Sequence, residues 1–127
     1  MSPESPESPA SLVSAARSRV TTHVLDAVAG RPAQDVAVTL ERRGTDGWEP
    51  VAQGRTDADG RVGRLGPDEL GAGTYRVSFA VGDYFAGRGQ DAFYPEVVVS
   101  FALTEPAAHY HVPLLLSPYA YSTYRGS

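Results

Sequence analysis

Three side chains that titrate near neutral pH are sparse in this 127-residue sequence and unevenly placed: His23, His109 and His111. An imidazole can take or give a proton near pH 7, so the chemistry it suggests is general acid–base work on water. His109 and His111 form an H-x-H pair, which on a strand puts both rings on one side. With His23 as a third ligand the pair could also hold a metal ion. No obvious carboxylate stands nearby to orient the rings as ligands, so the metal-free reading is preferred. Solvated surface histidines are the plain alternative, and His109 is the weakest functional candidate of the three.

Other chemistries are excluded by type or spacing. There is no cysteine, which removes disulfide frameworks, thiolate metal sites and Cys nucleophiles. No G-x-S-x-G, G-x-x-x-x-G-K-[ST] or G-x-G-x-x-G occurs, so nucleophile-elbow and phosphate-loop readings have no support. Asp57-Ala58-Asp59-Gly60 invites a calcium reading. An EF-hand loop needs Gly at position six and Glu at twelve, where this chain has Val62 and Asp68. A tight turn is the better reading. Tyr110, Tyr119, Tyr121 and Tyr124 cluster late in the chain, yet only Arg125 accompanies them as a cation, and the net charge is −4. A nucleic-acid surface is therefore not expected.

The elements that must position the histidines read as strands. Eight runs are expected: 20–27, 36–42, 48–56, 61–65, 74–81, 94–103, 108–117 and 119–125. Val36, Val38 and Leu40 alternate with Ala37, Thr39 and Glu41, a half-buried strand pattern. Gly30-Arg31-Pro32 closes the first run, and Asp59-Gly60 turns the chain into the fourth. Between Val81 and Tyr94 the alternation stops, and Asp83 is a candidate cap for one short helix near residues 83–86. Eight strands in one domain give an all-β, two-sheet sandwich with four strands per sheet. Parity in 108–117 sets His109 and His111 opposite Tyr110, Val112 and Leu114. His23 likewise shares a face with Thr21 and Leu25, opposite Thr22 and Val24. All three rings are thus expected to point away from the core.

The ends of the chain differ from its middle. Residues 1–19 carry Pro3, Pro6 and Pro9 and little apolar surface, so they read as a disordered arm, with residues 20–127 as the folded domain. The arm lacks the apolar stretch of a secretory signal, and no segment is long enough to span a membrane. A cytoplasmic protein is expected. The last run continues to within three residues of the end and stops at Arg125-Gly126-Ser127, as if the tail docks into something.

The residues then resemble a known family. His-Tyr-His-Val-Pro-Leu-Leu-Leu-Ser (109–117) with Tyr-Ser-Thr-Tyr-Arg-Gly-Ser (121–127) closely resembles the end of the transthyretin-related hydroxyisourate hydrolases. Thr22-His23-Val24-Leu25-Asp26, Thr56-Asp57-Ala58-Asp59-Gly60-Arg61 and Gly82-Asp83-Tyr84-Phe85 extend the likeness over the whole body. The terminal Tyr-Arg-Gly-Ser is the specific motif, and it separates the hydrolases from transthyretin, a hormone carrier. The resemblance implies a homotetramer with active sites at subunit interfaces, and no metal or organic cofactor. It implies that His23, Arg61, His111 and Ser127 are catalytic, and that His23, Arg61, Tyr124, Arg125 and Gly126 bind substrate. The substrate implied is 5-hydroxyisourate, hydrolysed in urate breakdown, with either His23 or His111 as base. The site is expected to include the chain's last residue. Ala120 departs from the family, which commonly has Gly between the two tyrosines. A ligand carrier and a structural sandwich module are the rival readings. Neither would need these histidines or the terminal motif.

Overall fold

The computed structural model describes residues 19–126, so the arm and Ser127 lie outside the described residues, Arg19 excepted. Among the described residues there are nine strands and one short helix. They are β1 (Val20–Asp26), β2 (Arg31–Pro32), β3 (Ala37–Gly44), β4 (Gly47–Arg55), β5 (Arg61–Val62) and β6 (Gly73–Phe79). Helix α1 (Val81–Ala86) follows, then β7 (Val97–Leu103), β8 (Tyr110–Ser117) and β9 (Ala120–Thr123).

The strands form two sheets, ordered β9-β8-β1-β2 and β4-β3-β6-β7, with β5 also paired to β1. The expected count of eight, four per sheet, is corrected to nine, five and four. The extra strand is Arg31–Pro32. β2 pairs with Leu25 and Asp26, whereas β5 pairs with Thr22 and His23, so two short segments share one edge of β1. β1 and β8 run parallel over seven residue pairs, from Val20 opposite Tyr110 to Asp26 opposite Leu116.

Alternation on these strands fills the space between the sheets. In β1, Val20, Thr22, Val24 and Asp26 are buried while Thr21, His23 and Leu25 are half-buried. Val38 and Leu40 of β3, Tyr75, Val77 and Phe79 of β6, and Leu114 and Leu116 of β8 complete the core. Each such apolar side chain contributes about 1.5–3 kcal/mol by leaving water. Thr22, one of two polar members of the inward set of β1, donates its hydroxyl to the Val112 carbonyl at 2.7 Å, so its burial is compensated. Pro50 lies in β4, the edge of its sheet, where a missing N–H costs no ladder bond.

Two expectations about the loops need correction. The helix begins at Val81, its N-cap is Ala80, and no side chain caps it; Asp83 lies within its first turn. The backbone of residues 81–86 is instead pinned by neighbours, such as the Gly82 N–H donating to the Pro95 carbonyl at 3.0 Å. The run expected over 61–65 pairs only through Val62, after which the chain turns to bury Leu65. Ala120 lies in β9, and Asp35 is the one described non-glycine residue with positive φ. The backbone there needs no glycine.

Candidate active site

The outer face of the first sheet gathers the histidines. β1 contributes Thr21 and His23, β8 contributes His109's neighbour in register, His111, and β5 contributes Arg61. Thr21 stands opposite His111, His23 opposite Pro113, and His23 opposite Arg61 across the other edge. His23 and His111 are therefore diagonal neighbours on adjacent strands, roughly 5 Å apart across the sheet and two residues along it.

Arg61 reaches this place through a turn built by Asp57. The Asp57 carboxylate accepts the N–H groups of Asp59 at 2.9 Å and Arg61 at 3.0 Å, and its carbonyl accepts the Gly60 N–H at 2.9 Å. The carboxylate that invited a cation is thus occupied in holding a turn. Gly60 has φ +77° and donates nothing by side chain, yet its carbonyl accepts the Val24 N–H at 2.7 Å. A Cβ at this position would overlap the Val24 carbonyl oxygen and lie 3.0 Å from Pro32 Cβ. Glycine is required here on both counts.

His111 of β8 and His109 just before it are tied to β1 by one hydroxyl. Thr21 Oγ1 lies 2.8 Å from His111 Nδ1 and 2.9 Å from His109 Nε2. The two rings stack, with centroids 6.5 Å apart and an interplanar angle of 17°. His111 titrates below the ordinary 6.5, first because burial disfavours its charged form. Positive charge on Arg61, His109 and His23 pushes the same way, while a hydrogen bond to the Thr21 backbone opposes it. His111 is therefore neutral at pH 7, a base held beside a guanidinium.

The tail closes one side of this group. Gly126 forms an isolated antiparallel bridge with His111, donating its N–H to the His111 carbonyl at 2.9 Å. A Cβ at Gly126 would overlap His111 Cδ2. Upstream, Thr123 donates its hydroxyl to the Pro113 carbonyl at 2.7 Å. Arg125 turns the other way, with its guanidinium 4.5 Å from the centre of the Tyr110 ring on the opposite face of β8. Tyr124 is exposed. Tyr124, Arg125, Phe101 and Val99 border a cavity of about 160 Å³ that reaches His111 at its rim. His23 and Arg61 do not line it, and their face is open.

His23, Arg61 and His111 thus meet on one surface with Gly126 beside them, and Arg125 and Tyr124 stand at its margin. Ser127 lies outside the described residues. Among the described residues, no three His, Asp or Glu side chains are placed to hold a metal ion together. No helix among them is long and apolar enough to cross a membrane. Thr21 was the member missed from sequence. Its parity with His23 was the available signal.

A two-sheet sandwich with a polar cluster of imidazoles and a guanidinium on one outer face defines a transthyretin-like architecture. The chain belongs to the HIUase/Transthyretin family, whose model matches residues 20–126. A 5-hydroxyisourate hydrolase of Salmonella dublin is 46% identical over 120 residues, covering 94% of this chain and 88% of that protein. The crystal structure of transthyretin from Sparus aurata superposes with a TM-score of 0.81 at 35% identity, covering 87% of this chain and 97% of that one. The structure of Klebsiella pneumoniae 5-hydroxyisourate hydrolase gives a TM-score of 0.76 at 35% identity, covering 85% and 98%.

Proposed function

We propose that this protein is an enzyme that hydrolyses 5-hydroxyisourate, opening its six-membered ring to 2-oxo-4-hydroxy-4-carboxy-5-ureidoimidazoline in urate breakdown. The observation that carries the reading is the meeting of His23, Arg61 and His111 on one sheet face by strand register. The 46% identity to a protein named 5-hydroxyisourate hydrolase, over 94% of this chain, supports it.

We take His111 as the base: burial and the positive charges around it hold its imidazole neutral, and the tail stands beside it. As its free nitrogen takes a proton from water, the water oxygen bonds to C6 and the carbonyl electrons move onto oxygen. Arg61 stabilises that oxyanion with fixed positive charge. When the carbonyl re-forms, the C6–N1 bond breaks and N1 leaves with a proton from the His111 imidazolium. His23 orients the attacking water. Tyr124, Arg125 and Gly126 line the substrate's margin, and Ser127 fixes substrate or water. No step requires a metal or organic cofactor.

A homotetramer completes the site. The His face is open on a single chain, and Leu115 of β8, Tyr121 of β9 and Tyr124 just after it expose apolar surface. Walls supplied by other copies would exclude water and bury these side chains. The protein acts as a soluble cytoplasmic enzyme.

The test follows the ultraviolet absorbance of 5-hydroxyisourate freshly made by urate oxidase. His23→Asn, Arg61→Gln and His111→Asn are each expected to lower turnover by about a hundredfold or more. Unchanged turnover in all three variants refutes the assignment.

A further inference from the structure

Thr21 has one hydroxyl proton and two imidazole nitrogens within hydrogen-bond distance, His109 Nε2 at 2.9 Å and His111 Nδ1 at 2.8 Å. It can donate to only one of them. The other nitrogen must then donate to it, so the tautomers of the two rings are linked through a shared oxygen. Two chains of bonds run through the Thr21 proton when both rings are neutral. In one, Thr21 donates to His111 Nδ1, which leaves a proton on His111 Nε2 and makes that atom useless as a base. In the other, Thr21 donates to His109 Nε2 and accepts from His111 Nδ1–H, which leaves His111 Nε2 bare.

We propose that His109 is a positioning residue that, by accepting the Thr21 hydroxyl proton, holds His111 in the tautomer whose outward Nε2 can deprotonate water. The inference rests on the hydrolase reading for its catalytic meaning, though not for the tautomer itself. Three observations favour this direction. Both contacts are short enough for real hydrogen bonds. The His109 and His111 rings lie nearly parallel, which keeps both nitrogens aimed at Thr21. The Thr21 backbone, which by hydrogen bonding favours the protonated His111 ring, reinforces a proton on the side of the ring facing β1. When His111 becomes an imidazolium, its Nδ1–H stays bonded to Thr21 and the chain needs no rearrangement. The arrangement has the logic of a triad in which a third group fixes the base, here with an uncharged Thr–His relay in place of a carboxylate. A neutral relay also spares His111 a negative neighbour, which would raise its pKa. The charged or titratable groups facing it are Arg61 from β5, His23 from β1 and His109, which just precedes β8.

The experiment combines nitrogen NMR of the histidine rings, without substrate, with steady-state kinetics of the full chain. In the parent, His111 Nδ1 is expected to be protonated and Nε2 bare. His109→Phe keeps a ring in the stack and removes the acceptor. It is expected to shift part of His111 to the Nε2–H tautomer and to lower kcat about tenfold with KM unchanged. His109→Gln, whose side-chain carbonyl can accept the same proton, is expected to recover most of both signals, and Thr21→Val to reproduce the loss. His109→Phe in the Thr21→Val background is expected to add no further loss, as for members of one chain. If His111 nitrogens are unchanged in His109→Phe, or bare at Nδ1 in the parent, the proposal is overturned, whatever kcat does. Should His111→Asn turn over substrate normally, the hydrolase mechanism fails while the nitrogen spectra still decide the relay.

Discussion

Gly126→Ala places the smallest possible side chain against the His111 ring. The added Cβ would overlap His111 Cδ2 and stand 3.1 Å from Cγ and 3.3 Å from Cβ. Ordinary carbon–carbon contact is about 3.5–4.0 Å, so either the imidazole or the tail must move by roughly 1 Å. The ring is held by Thr21 and the tail by one backbone bridge, so both will share the shift. A misplacement of about 1 Å in a reacting group costs on the order of a hundredfold in rate. Stability should change little, because Gly126 contributes a single bridge at the edge of β8 and buries no side chain. The assay is turnover of fresh 5-hydroxyisourate, with thermal unfolding as the check on fold. Gly63→Ala serves as control, since a Cβ there meets nothing within 4 Å. A Gly126→Ala enzyme within threefold of the parent would show that His111 placement beside the tail does not govern catalysis.

Further outcomes follow from the same contacts. Because burial and the charges around it hold His111 below 6.5, its neutral form persists as pH falls, and the acid limb of kcat/KM is expected below pH 6.5; a limb above 6.5 contradicts the base assignment. Burial works to raise the Asp26 carboxyl, but the N–H groups of Ala29 and Val28 and the Tyr84 hydroxyl at 2.7 Å outweigh it and hold it below 3.8. Its contribution to stability is therefore present above the unfolded value and disappears as pH falls through the folded one. Tyr84→Phe is expected to cost about 1.5–3 kcal/mol in urea unfolding at pH 7 and less in acid. Gly60→Ala, strained at φ +77° and overlapping the Val24 carbonyl, is expected to cost about 1–3 kcal/mol and to lower turnover by displacing Arg61.

The outward direction of His23 and His111 was legible in the sequence because period-two burial leaves no choice once Val20, Val24, Leu114 and Leu116 must face inward. The Asp57–Arg61 turn was legible for a similar reason, since its glycine and Asx side chain have few alternatives. Arg31–Pro32 was not, because two residues carry no periodicity and pair only where β1 offers an edge. The uncapped helix start reflects the same limit: Asp83 has the right type for a cap, while tertiary bonds to residue 95 decide where the turn begins. Thr21 joins His109 and His111 across about ninety positions of chain, and nothing in local spacing reports that contact. His109 read as the weakest functional candidate of the three, yet it shares a hydroxyl with His111.

The central claim is that this chain consumes 5-hydroxyisourate rather than carrying an aromatic ligand. The most direct measurement is the decay of freshly generated 5-hydroxyisourate, with and without the purified protein, read by its ultraviolet absorbance. Decay is expected to quicken in proportion to enzyme concentration, and the increment to vanish in His111→Asn. Decay at the spontaneous rate, with the ligand retained by the protein, would contradict the account.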